Sequence, residues 1–92
     1  MTDIAPTTVL APSSGHEVRP YLKGTMIDSE LALNEVASRV FSLIDGRREV
    51  AEIAAMVQAE YDVDLKTCLA DVTQLAQDLV DEDLVVVLSP AP

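Results

Sequence analysis

Three consecutive apolar stripes at helical spacing, between Asn34 and Asp81, constrain the fold of this chain more than any other feature. The first runs from about Glu35 to Ile44, with Val36, Val40, Leu43 and Ile44 on one side and Phe41 widening it. Asn34 offers a cap oxygen to the free amides of the first turn, and Gly46 allows a left-handed exit. The second, about Glu49 to Tyr61, turns Val50, Ile53, Ala54, Val57 and Tyr61 inward, with Glu49 and Glu52 near the positive end of the helix dipole. The third, about Thr67 to Asp81, carries Leu69, Val72, Ala76, Leu79 and Val80 on one side. Cys68 and Leu75 share one margin of that stripe, and Asp71 and Asp78 come just beyond it. The stripe covers roughly 140° at about 100° per residue, more than a core-facing helix needs. Its margin is therefore either a binding surface or one side of a fully buried helix.

Strand signals precede the helices. Val18 and Tyr21-Leu22 lead into a tight turn at Lys23-Gly24, followed by Thr25-Met26-Ile27. Asp28-Ser29 interrupts, and Leu31-Ala32-Leu33 resumes the alternation. Pro20 cannot donate to a ladder, so its run is expected at an edge. Leu84 to Leu88 reads as a short strand packing back on the domain. The expected fold is α+β: a small N-terminal antiparallel sheet of two to three strands, then three helices, in a winged helix-turn-helix-like layout. Residues 1–15, rich in Pro, Ser and Thr, are expected to be a flexible tail. Residues 16–88 form the expected domain, and 89–92 a loose end.

The composition excludes several functions. Sixteen acidic residues against six basic ones give a net charge of −10, which repels phosphate and anionic lipid and favours basic partners. A DNA-reading final helix must carry or sit among cations, yet from Thr67 onward there are none, against five acidic residues. The single Cys68 and single His16 cannot make a zinc site, and no motif links them as a nucleophile pair. Asp81-Glu82-Asp83 lacks calcium-loop spacing and opposes the helix dipole. The last turn is therefore expected to fray or to meet a basic partner. Met1 to Pro12 has no secretory pattern, and Leu84 to Leu88 is too short to span a bilayer. With one cysteine and no internal disulfide, a cytoplasmic protein without cofactor is expected. Asp28-Ser29-Glu30-Leu31 approaches the Asp-Ser-Leu site of acyl or peptidyl carrier proteins, with Glu30 inserted. The Pro- and Gly-rich residues before it leave little room for the long helix a carrier fold places there.

The order of short motifs resembles the PqqD-like family, whose members recognise leader peptides of ribosomally made, modified peptides (RiPPs). The motifs are Leu33-Asn34-Glu35, Leu43-Ile44-Asp45-Gly46-Arg47, Val50-Ala51-Glu52-Ile53-Ala54, Tyr61-Asp62, Asp71-Val72 and Leu84-Val85, within about residues 17–87. Asp83 stands where the family often has glycine. The strand region departs from the proteins of the pyrroloquinoline quinone pathway, and stand-alone recognition proteins of lasso-peptide clusters resemble the chain at least as well. The resemblance implies a non-catalytic binder that takes the leader into the cleft between the third strand and third helix and adds a strand to the sheet. Carried onto this chain, the open edge would be Met26, Ile27, Glu30, Leu31, Ala32 and Leu33. The facing wall would be Cys68, Asp71, Val72 and Leu75, with Leu31 and Leu33 turned inward. The implied partners are a precursor leader and the modifying enzyme or leader protease of the same pathway, with no nucleic acid and no membrane. The alternatives are a carrier-like domain modified at Ser29, or a degenerate winged-helix protein-interaction module.

Overall fold

A computed structural model describes residues 4–28 and 30–88; Ser29, the carrier-type serine, and the loose end 89–92 lie outside the described residues. Three short strands form an antiparallel sheet in chain order: β2 (Val18–Tyr21), β3 (Gly24–Ile27) and β4 (Leu31–Leu33). Tyr21 pairs with Gly24 and Thr25 with Leu33, so the β2–β3 turn and the end of β4 lie at the same end of the sheet. The turn centres on Leu22-Lys23, one residue earlier than the sequence suggests, with Leu22 left-handed at φ 56. Pro20 lies on the edge strand β2, where its missing N–H leaves the central ladder intact. Asp28 makes the second turn from a left-handed conformation, φ 55, which a short polar side chain tolerates.

The helices follow directly. Asn34 ends β4 and caps α1 (Glu35–Leu43), its Oδ1 accepting from the Ala37 amide at 2.8 Å. After α1, Gly46 is left-handed at φ 83, and Asp45 Oδ1 accepts the amides of Arg47 and Arg48 at 2.9 and 3.0 Å. Those amides hold the Asp45 carboxyl below the usual carboxylate range. Arg48 reaches back to the Leu43 carbonyl at 3.2 Å, satisfying an acceptor that the helix end leaves open. The Asp-Gly-Arg motif thus builds a turn.

Helix α2 (Val50–Tyr61) has Glu49 at its N-cap, and α3 (Leu65–Asp81) starts two residues earlier than expected, at an Asp64 cap that accepts from Thr67. The C-terminus of α3 is closed rather than frayed. The Leu84 amide bonds Leu79 O at 2.9 Å and the Asp83 amide bonds Val80 O at 3.0 Å, while Asp83 is left-handed at φ 60. This is the Schellman arrangement, and it explains why glycine suits position 83.

The core joins the inward faces of all three helices with Ile27, Leu33, Leu84 and Val85. Residues 9–12 correct the expectation of a tail through residue 15. Val9–Pro12 is a strand, β1, paired antiparallel with β5 (Val85–Leu88), and Leu10 is among the most deeply buried side chains. Four consecutive residues with no polar alternation and a terminal proline hide such a strand from sequence reading; its position is fixed by β5, far along the chain. His16 is likewise held. Its Nδ1 lies 2.5 Å from Asp28 Oδ2 and its Nε2 lies 3.1 Å from the Asp83 carbonyl, joining the three-stranded sheet to the loop after α3.

Candidate functional site

Helices α1 and α3 both pack on α2 but scarcely touch each other, and a cleft of ≈ 440 Å³ opens between them. Its floor is the buried set Val40, Val57, Cys68 and Val72. Its walls are Val36 and Ala37 of α1, Tyr61 and Val63 at the end of α2, and Leu75 of α3. Asn34, Thr67 and Asp71 line its exposed rim. A mostly apolar hollow of this size with a few polar groups at its margin suits ligand binding, for which about 300–1,000 Å³ is usual. Val36 and Val63 are each 42 % exposed inside it, apolar surface that the fold leaves uncovered.

The four helix-three residues expected at the site, Cys68, Asp71, Val72 and Leu75, line this one cleft. Cys68 is closed in: it is buried, and its thiol donates to the Ala54 carbonyl at 3.4 Å. Burial, with a smaller contribution from Asp71, pushes its pKa up and so disfavours the thiolate. The margin of α3 is therefore split, with Cys68 in the core and Leu75 half-buried at the opening.

The strand residues divide as well. Leu31, Ala32 and Leu33 form β4, an edge that among the described residues pairs only with β3. Leu33 is buried, Leu31 is half-buried against the core and Ala32 is exposed, the alternation that points the leucines inward. Glu30 is exposed in the preceding turn. Met26 and Ile27 are a correction. They belong to β3, paired on both sides with β2 and β4, and Ile27 is a core residue, so neither offers backbone to a further strand.

Sequence reading missed Val36 as a site residue by assigning it to the buried stripe of α1. It also missed Asn34, Ala37, Val40, Val57, Tyr61, Val63 and Thr67. The decisive geometry is the junction at Asn34: the open edge of β4 ends at Leu33, one residue before Asn34, which rims the cleft.

The family described as coenzyme PQQ synthesis protein D (PqqD) matches residues 9–85. This protein belongs to the PqqD family. The match begins at Val9, the first residue of β1, and ends at Val85, the first residue of β5. No curated protein matches this PqqD-family chain. Among solved structures, TbiB1 in complex with the TbiA(beta) leader peptide is similar in fold, with a TM-score of 0.58 at 23 % identity. The similarity covers 99 % of this chain and all of TbiB1. Among the described residues, no helix is long and apolar enough to cross a membrane.

Proposed function

We propose that this PqqD-family protein binds the leader segment of a ribosomally made precursor peptide and delivers it to the cytoplasmic modifying enzyme or leader protease that acts on it. The leader adds a strand along Leu31–Leu33 and sends alternate side chains into the cleft. The observation that carries this reading is the continuity of the unpaired β4 edge with the cleft mouth at Asn34. Main-chain hydrogen bonds to the strand supply sequence-independent affinity, and the apolar walls select side chains. TbiB1, a protein of similar fold, was solved with a leader peptide.

The role is binding without catalysis. Burial keeps Cys68 from acting as a thiolate, and His16 spends both ring nitrogens on Asp28 and Asp83. The overall charge of −10 and Asp71 on the rim favour a leader with basic residues beside its apolar anchors, raising the encounter rate more than the final affinity. Calorimetric titration with the precursor leader encoded beside this protein tests the reading. One-to-one saturation at low micromolar, about −8 kcal/mol, is expected. No saturable heat with any neighbouring precursor refutes it, and a phosphopantetheine adduct at Ser29 by intact mass would establish the carrier alternative.

A further inference from the structure

The β2–β3 hairpin carries an exposed apolar feature separate from the cleft. Leu22 at its tip is 90 % exposed and Tyr21 beside it is 43 % exposed, and every residue of β2 is open to solvent. Leu22 also holds φ 56, a left-handed conformation in which glycine or asparagine is the ordinary turn residue. A leucine there fills no core and fits the turn poorly, and with Tyr21 it leaves a small apolar patch uncovered by the fold. The charge of the hairpin is also opposite to that of its surroundings. Within a chain of net charge −10, Val18–Gly24 contains Arg19 and Lys23 and no carboxylate. Lys23 has no ion-pair partner among the described residues.

We infer that this hairpin tip docks an acidic, partly apolar surface of a second protein: the enzyme or protease to which the bound peptide is passed. The partner's identity rests on the leader-binding reading; the docking surface does not. Charge complementarity favours an acidic partner over the basic one that suits the rest of the molecule. Position favours simultaneous occupancy. Strand β3 separates β2 from β4, so a strand added at β4 leaves β2 and the tip uncovered. The pairings Tyr21 with Gly24 and Thr25 with Leu33 put the tip at the end of the sheet where β4 meets Asn34 and the cleft opens. A protein seated on Leu22 and Lys23 is thereby brought beside the bound peptide.

The test titrates the full chain with the purified modifying enzyme and, separately, the leader protease encoded beside it, by biolayer interferometry at low and high salt. The variants are Leu22→Gly, which suits the left-handed turn and keeps the fold, and Lys23→Glu. Expected are saturable wild-type binding to one enzyme that weakens with salt, a loss of at least ~10-fold in Leu22→Gly, and a smaller loss in Lys23→Glu. Leader affinity stays unchanged in both variants. Wild-type binding to neither enzyme, or both variants binding like wild type, overturns the inference. So does wild-type binding to phosphatidylcholine vesicles that Leu22→Gly abolishes, which assigns the tip to a lipid surface. Enzyme binding that depends on Leu22 while no leader binds leaves the docking inference standing and defeats the leader-binding reading instead.

Discussion

Gly24 passes beneath the Leu33 carbonyl so closely that a Cβ at position 24 would overlap its oxygen. The obstacle is backbone, which cannot swing aside as a side chain can. It lies one residue before Asn34, the cap of α1 and part of the cleft rim. Gly24→Ala therefore has to push the end of β4 away from β3, at an expected cost of about 1–3 kcal/mol. Urea unfolding measures that cost. If the variant still folds, weaker leader binding is expected, because the displaced strand is the proposed docking edge.

The cleft gives the sharpest separation of binding from folding. Leu75 is half-buried, so Leu75→Asp puts a charge in the path of an apolar anchor at some risk to the core. Val36 lines the same cleft from α1 and is 42 % exposed, so Val36→Asp is the cleaner probe. Each variant should lose at least ~2 kcal/mol of leader affinity. Val36→Asp should do so with an unchanged thermal midpoint. Asp71→Asn should act mainly on the association rate, read by stopped-flow at low salt.

His16 makes the stability depend on pH. Its ring nitrogens both face oxygen acceptors, Asp28 Oδ2 and the Asp83 carbonyl, a pairing that only the doubly protonated ring fully satisfies. The Asp28 hydrogen bond raises the His16 pKa, and His16 in turn lowers that of Asp28, whose Oδ1 also accepts the Glu17 amide. A raised histidine pKa contributes stability that is complete below its unfolded value and is lost as pH climbs through the folded one. The depressed Asp28 pKa contributes above the ordinary aspartate range and is lost as pH falls through the lowered value. The domain should therefore unfold at lower urea at pH 8.5 than at pH 5.5. His16 is the single histidine of the chain, so His16→Gln should flatten that difference.

Duplex DNA should not bind despite the helix-turn-helix-like layout. Helix α3 holds one cation, Lys66 in its first turn, and after it the described residues carry Asp71, Asp78, Asp81, Glu82 and Asp83. A mobility-shift assay at physiological salt should show no complex. A shift that fades steeply with added salt would count against this view of the surface.

The three helices, the Asn34 cap and the Gly46 exit are legible in the sequence because they are local, whereas the Asp64 cap and the Asp83 closure of α3 are not read there. Asn34 caps what it was expected to cap, Gly46 makes the left-handed exit, and three faces at helical spacing form the core. On the α3 side of the cleft, the width of the stripe leaves a binding margin and a fully buried helix equally open, and Cys68, Asp71, Val72 and Leu75 are named there by the family resemblance. What escaped depends on partners distant in the chain. Strand β1 exists through β5, about seventy-five residues away, and His16 is ordered by Asp28 and Asp83. Alternation marks Met26 and Ile27 as strand residues without telling which side of that strand another will cover. Helical period gives Val36 an inward direction, and the empty space between α1 and α3 is a property of the packing.

Amide hydrogen exchange of the labelled protein, with and without the leader encoded beside it, tests strand addition along β4 most directly. Saturating leader should slow exchange at outward-facing amides of the Glu30–Leu33 segment, with chemical-shift changes at Val36, Val63, Asp71 and Leu75 and little change in β1 and β5. Saturable binding whose protection falls on β2 or β5 while the β4 amides exchange as in the free protein would contradict the account.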